Sequence, residues 1–171
     1  MTLDDLKRFC DPSNPRPHAQ NPFSQGGWTF AGDDQLLVRT APIAGVCTLF
    51  TPDCCKLFES KYLPGDWLPV PACSAPDKIQ CPACDGEGFI TCNMGHEHDC
   101  PHCFAEGVVE DNARMEVGGA EFYQRQLALL QGWEISIRGE TDGRIPPAAL
   151  RRGDDIGLLM PLLPRHRGGP R

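Results

Sequence analysis

The sequence predicts a small α+β protein, a sheet-and-helix body interrupted by a cysteine-rich hairpin. Three observations carry that expectation. The 171 residues include 18 Gly and 17 Pro, which favours turns and short elements over long helices. Short β-prone runs recur along the chain, the clearest being Trp133-Glu134-Ile135-Ser136-Ile137-Arg138 with strict alternation. Finally, two Cys-x-x-Cys pairs, Cys81/Cys84 and Cys100/Cys103, divide the chain into residues 1–78, 79–110 and 111–171.

In chain order, residues 1–10 read as a short helix. Thr2 serves as N-cap, Asp4 and Asp5 occupy the first turn, and Leu3, Leu6, Phe9 and Cys10 share one face. Pro12, Pro15 and Pro17 end it, and a loop is expected to Gly27. Trp28–Ala31 and Gln35–Thr40, joined by Gly32-Asp33-Asp34, predict a hairpin, with a third strand over Val46–Phe50. Residues 51–78 are proline-rich and predict irregular structure. After the hairpin come a strand at Arg114–Val117, a break at Gly118-Gly119 and an amphipathic helix from Ala120 to Gln131 that turns Phe122, Tyr123, Leu127 and Leu130 inward. Gly132 is placed to cap that helix. Strands at Trp133–Arg138, Ile145–Leu150 and Ile156–Leu162 complete the chain.

Each Cys-x-x-Cys pair offers two thiolates from one tight knuckle, and the segment between the pairs is long enough to return, so all four sulfurs reach one tetrahedral ion. Cys81, Cys84, Cys100 and Cys103 are therefore the predicted ligands of one structural Zn2+. A zinc ion held by four cysteines has no open position for catalysis. Cys81-Pro82-Ala83-Cys84-Asp85-Gly86-Glu87-Gly88 matches Cys-x-x-Cys-x-Gly-x-Gly in full, and Cys100-Pro101-His102-Cys103-Phe104-Ala105-Glu106-Gly107 matches it except at Ala105. These residues resemble the cysteine-rich domain of DnaJ-type co-chaperones, which implies a zinc ribbon over residues 79–110. The chain has two of that family's four motif copies and no His-Pro-Asp signature of a J-domain.

Cys100-Pro101-His102-Cys103 also resembles the active-site sequence of DsbA-type oxidases, but Gly107-Val108-Val109 follow too soon for the helix that would support a reactive thiolate. Cys92, His96, His98 and His102 either lie in a solvated loop or exchange with a ligand or form a second site. Cys47, Cys54, Cys55 and Cys73 either form another site or are buried free thiols.

A second resemblance lies in Ala120–Leu130, Trp133–Arg138 and Gly157-Leu158-Leu159-Met160-Pro161. These residues look like the C-terminal half-domain of bacterial sliding clamps, the β subunit of DNA polymerase III, which implies a clamp-like scaffold and a link to DNA replication. Residues 2–40 would then be a shortened companion half. The chain is about half the length of a clamp subunit and cannot encircle DNA alone. Gln126-Leu127-Ala128-Leu129-Leu130 matches the peptide motif that docks into clamps, yet it falls within the predicted helix and reads as core. In such a fold Leu158, Leu159, Met160, Leu162 and Leu163 are the candidate surface for a protein partner.

The net charge of −7 opposes a broad nucleic-acid-binding face, since phosphate contacts need clustered cations. Residues 81–107 contain Asp85, Glu87, Glu97, Asp99 and Glu106 and no Lys or Arg, so this segment suits a peptide or a basic surface better. Arg151-Arg152 and the tail Arg165-His166-Arg167-Gly168-Gly169-Pro170-Arg171 are the only basic concentrations, and nucleic acid contact is expected through that tail alone. The acidic N-terminal residues lack the apolar core of a secretory leader, and no apolar run approaches the length of a membrane span, so a cytoplasmic location is expected. None of the common nucleophile, phosphate-loop or zinc-protease motifs occurs. The sequence thus points to a non-enzymatic adaptor, with chaperone or thiol exchange and nucleic-acid binding as rival classes.

Overall fold

The computed structural model describes residues 1–50, 53–74, 78–110, 113–139 and 145–162. They form a mixed α+β structure with few, short helices and a mostly antiparallel sheet.

Helix α1, Leu3–Lys7, starts with a capping box: Thr2 Oγ1 accepts from the Asp5 N–H at 3.2 Å, and the Thr2 N–H donates to Asp5 Oδ2 at 3.0 Å. It is shorter than expected because the chain tightens after Lys7, with Phe9 N–H and Cys10 N–H bonding to the carbonyls three residues back. The expected loop to Gly27 contains a single turn, α2 (Pro17–Gln20), and strand β1 (Phe23–Gln25). The predicted hairpin is present as β2 (Trp28–Gly32) and β3 (Leu36–Thr40). Its turn is fixed by Asp33 Oδ1, which accepts the N–H groups of Gln35 and Leu36, each at 2.7 Å.

The strand expected at Val46–Phe50 is reduced to one parallel bridge, Ser24↔Thr48. The place beside β2 belongs to β1, whose Phe23 is buried, while Phe50 is 84% exposed. Residues 53–74, expected to be irregular, contain helix α3 (Cys54–Lys61), N-capped by Asp53, and β4 (Leu68–Pro69). Next come β5 (Lys78–Gln80), β6 (Phe89–Thr91), β7 (Glu97–Asp99) and β8 (Val108–Glu110). The expected helix from Ala120 is half strand. β9 (Arg114–Val117) pairs with β10 (Ala120–Tyr123) around Gly118-Gly119, and only α4 (Gln124–Leu129) is helical. Both turn glycines have positive φ, 56° and 86°, so the pair is a hairpin turn rather than a break. The chain ends its described part with β11 (Glu134–Ser136), β12 (Ala148–Arg152) and β13 (Asp155–Leu159).

Seven strands make one sheet in the order β1-β2-β3-β13-β12-β11-β4, every named pair antiparallel. Alternation along β3 and β13 separates two cores. Leu36, Val38 and Leu159 face Leu6, Phe122, Leu127, Leu130 and Trp133 under α1, α4 and the β9-β10 hairpin. Leu37, Ile156 and Leu158 face Phe23, Phe30, Cys54 and Phe58 under α3.

Residues 78–110 are bounded by the pairing of β5 with β8 and contain the separate β6-β7 hairpin. Among the described residues, the hydrogen bonds and ion pairs of this segment close within it. No helix among the described residues is long and apolar enough to cross a membrane.

Candidate metal centre

The sulfurs of Cys81, Cys84, Cys100 and Cys103 all lie within 4.8 Å of one another. Cys81 and Cys100 Sγ are 3.9 Å apart, and Cys84 and Cys103 Sγ are 3.7 Å apart. Sulfurs bound at about 2.3 Å to a tetrahedral ion stand about 3.8 Å from each other, whereas disulfide sulfurs are about 2 Å apart. All ten cysteines are free thiols. The spacing thus fits a tetrahedral metal ion such as zinc.

A local twofold relationship builds the site. The Cys81 N–H donates to Gly107 O at 2.9 Å, and its counterpart, the Cys100 N–H, donates to Gly88 O at 2.8 Å. Gly88 N–H points at Cys84 Sγ and Gly107 N–H at Cys103 Sγ, both at 3.3 Å. These bonds stabilise thiolate charge and turn the sulfurs inward. The left-handed positions also correspond: Asp85 and Phe104 both have φ of 51°, Gly86 (87°) matches Ala105 (67°), and Gly88 (83°) matches Gly107 (71°). The departure at Ala105 is therefore absorbed, since alanine holds the glycine conformation there.

All four cysteines are buried, and their thiols share protons unevenly. Burial opposes ionisation of Cys100, but backbone N–H groups of Cys103 and His102 and the neighbouring thiols outweigh it and lower its pKa to about 7. Burial raises that of Cys103 to about 12, and the other three cysteines add to the rise. These four thiols could hold a divalent cation, whose charge would let them ionise together.

Among the described residues this is the one group of three or more His, Cys, Asp or Glu able to hold a metal. Cys92 instead closes the β6-β7 turn, its N–H donating to His96 O at 2.9 Å, and His96, His98 and His102 are exposed. Nor do Cys47, Cys54, Cys55 and Cys73 assemble. Cys54 belongs to the core under α3, where burial pushes its pKa up to about 11, while Cys73 packs near α4 and donates to Gln124 O at 3.4 Å. Cys47 is exposed, which departs from the buried state expected of it.

The proposed partner residues divide between the two faces of β13. Leu158 and Met160 line a cavity of about 360 Å3 together with Leu37, Cys54, Leu57 and Pro147. Leu158 is largely buried and Met160 is 44% exposed. Leu159 points the other way into the main core, Leu162 is half-buried with its N–H on Glu121 O, and Leu163 lies outside the described residues, as does the basic tail. Gln126, Leu127 and Leu130 are buried in or beside α4, so the motif-like stretch is core. The cavity's α3 wall escaped the sequence reading, although Asp53 before Cys54 and Phe58 carried the signal of a capped helix with one buried face.

Comparison of the chain with protein-family models, with curated proteins and with solved structures finds no match.

Proposed function

We propose that this protein is a zinc-binding, non-enzymatic adaptor of the cytoplasm that docks a protein partner. The observation that carries the reading is the closed set of four buried sulfurs at tetrahedral spacing. It supports one structural Zn2+, because four protein thiolates leave no position for water or substrate.

In this reading residues 79–110 are a DnaJ-like ribbon inserted in the sheet body, since β4 before them and β11 after them pair with each other. The clamp-like reading of the body draws on its order. A helix-containing stretch with the meander β1-β2-β3 meets α4 with the meander β11-β12-β13, and the two join through antiparallel β3 and β13. Two related halves meeting at their last strands are compatible with a reduced clamp-like domain, and a replication-linked partner follows from that likeness alone. The partner side chain enters the cavity between α3 and β13.

Metal analysis of protein purified without added zinc tests the first part, one equivalent of zinc being expected and iron or no metal refuting it. For docking, Leu158 is too buried to change without harming the core. Met160→Glu and Leu57→Glu, both at exposed cavity positions, should abolish recovery of the partner in a pull-down while zinc content and melting temperature hold. Equal recovery by wild type and both variants refutes the cavity.

Thiol exchange is the second reading, favoured by four free thiols held within 4.8 Å of one another. Reduction of a small disulfide by the zinc-loaded protein, abolished by Cys100→Ser, would establish it over the adaptor.

A further inference from the structure

Each of the chain's 3 Trp residues carries a guanidinium on its ring. Arg151 lies 4.3 Å from the Trp67 centroid, Arg152 lies 5.0 Å from Trp133, and Arg39 lies 4.2 Å from Trp28. In the first two, a carboxylate completes the arrangement at the cation's edge. Arg151 Nε donates to Glu134 at 2.6 Å, and Arg152 is 3.8 Å from Asp155. Stacking uses the face of a guanidinium and leaves its planar fork of donors for an oxyanion.

Arg39 has the face contacts and lacks the edge contact. The Phe58 ring also lies 5.0 Å from it, so the guanidinium rests on two aromatic rings. Its Nε is buried without a hydrogen-bond partner. Among the described residues, Arg16, Arg114, Arg151 and Arg152 each face a carboxylate, whereas Arg39 does not and, unlike Arg8 and Arg138, is not exposed.

The sheet register sets the surroundings. Glu134, Arg151, Ile156, Arg39 and Phe30 form one row across β11, β12, β13, β3 and β2. Arg151 and Arg39 therefore project from the same face, two strands or about 10 Å apart at the backbone. Both cations also act on the Tyr62 hydroxyl, which donates to Leu150 O at 3.3 Å; burial raises its pKa and the two guanidiniums oppose the rise. Arg39 is half-buried and Trp28 is 38% exposed, so the pair meets solvent although Nε itself does not.

We propose that Arg39 is a recognition site for a single carboxylate presented from outside, which takes the position at Arg39 that Glu134 takes at Arg151. A polyanion is disfavoured, because a chain of net charge −7 repels it as a whole, whereas one bidentate contact is short-ranged. The ligand class is a carboxylate on an apolar body, either a free organic acid or an acidic side chain flanked by apolar residues. The site is separate from the metal centre and goes beyond the adaptor reading.

The test is a titration of the zinc-loaded full chain, reading the Arg39 Nε–H resonance by NMR and Trp28 fluorescence. The probes are acetate, benzoate, acetyl-Leu-Glu-Leu-amide with its Gln counterpart, sodium chloride at matched ionic strength, and a short single-stranded DNA. Benzoate or the Glu peptide should shift the Arg39 signal saturably while Arg151 Nε–H, already held by Glu134, stays fixed. Tighter binding of the Glu peptide than of benzoate assigns a peptide source, and the reverse assigns a free acid. Arg39→Lys keeps a cation on Trp28 but loses the planar fork, so affinity should fall roughly tenfold. The proposal is overturned by an unmoved Arg39 signal, by an equal response to chloride or the Gln peptide, or by DNA binding that the carboxylates do not match. Because the signal is read on the unmodified protein, a fold defect in Arg39→Lys cannot mask the answer.

Discussion

Replacing Gly107 by alanine should cripple the metal site while sparing the sheet. An added Cβ would stand 2.2 Å from Gly86 O and 3.0 Å from Gly86 C, well inside contact distance. The carbonyl of Gly86 cannot withdraw easily, because the Gly86 N–H is tied to Cys81 O at 3.2 Å. If Gly107 moves instead, it loses the Cys81 N–H bond to its carbonyl and its own N–H contact with Cys103 Sγ. Two lost hydrogen bonds cost about 1 kcal/mol each, and holding alanine at a left-handed φ costs about 1 to 2 kcal/mol more. The sum, about 3 to 4 kcal/mol, corresponds to zinc affinity lower by roughly 100- to 1000-fold. Competition against a chromophoric chelator at fixed pH measures it, with near-ultraviolet circular dichroism of Trp133 reporting the main core. Gly95→Ala is the control, since Gly95 has φ of 81° with nothing within 4 Å of the added atom; strain alone should cost it no more than about 30-fold. Gly107→Ala binding zinc as tightly as wild type, or Gly95→Ala binding as poorly as Gly107→Ala, refutes the reasoning.

Three further expectations follow from the same structure. Stripping zinc with a strong chelator should abolish amide-exchange protection in residues 78–110 and leave the seven-stranded sheet protected, because that segment's hydrogen bonds close on themselves; simultaneous loss in both refutes it. Cys54, whose folded pKa is raised by burial to about 11, contributes stability that is complete below the ordinary thiol pKa near 9 and is lost as pH rises through 11. The loss is on the order of 3 kcal/mol, so Cys54→Ala should flatten alkaline chemical denaturation between those limits, and an unchanged pH profile counts against the burial argument. At pH 8 the same burial should leave Cys54 far slower than exposed Cys47 toward iodoacetamide, a ranking that peptide mapping reads directly.

The metal centre was legible because its signal is local. Two knuckles with glycines at left-handed positions name both the four sulfurs that cluster and the turns that aim them. Two β-prone runs about a turn also revealed β2 and β3, and strict alternation revealed β11, all of which sit inside the sheet. The misses share a different cause. Phe23–Gln25 and Val46–Phe50 are both β-prone, and which one pairs with β2 is decided by Phe23 stacking on Phe30 at 5.6 Å, a contact invisible to a single segment. Ala120–Tyr123 fits a helical face, yet Gly118-Gly119 turns it back on Arg114–Val117, so tertiary pairing overrides periodicity. Helix α3 was hidden by the prolines on both sides of it. The candidate partner residues are divided because alternation in β13 sends Leu158 and Leu159 to opposite faces, and a run of apolar residues cannot show which neighbours it meets.

The two glycines of the knuckle motif have unequal physical standing, which explains why the second copy tolerates alanine at one of them. A Cβ at Gly86 would meet only the Gln80 side chain, at 3.3 Å, and that chain can swing away. A Cβ at Gly88 would meet Ala105 O at 2.5 Å and Ala105 C at 3.1 Å, the mirror of the Gly107 clash with Gly86. The first position is thus constrained by φ alone, and the second by φ and by the backbone of the opposite knuckle. Ala105 sits at the first kind of position with φ of 67°. Ala105→Gly should relieve about 1 kcal/mol of strain and give back about 0.4 to 1 kcal/mol through the freer unfolded chain, leaving zinc affinity within about threefold of wild type or slightly better. Gly86→Ala should cost no more than about 30-fold, and Gly88→Ala should match Gly107→Ala. If chelator competition ranks Gly86→Ala with Gly88→Ala, the opposite backbone is not what distinguishes the two positions, and the close approach of the two knuckles loses its explanatory role.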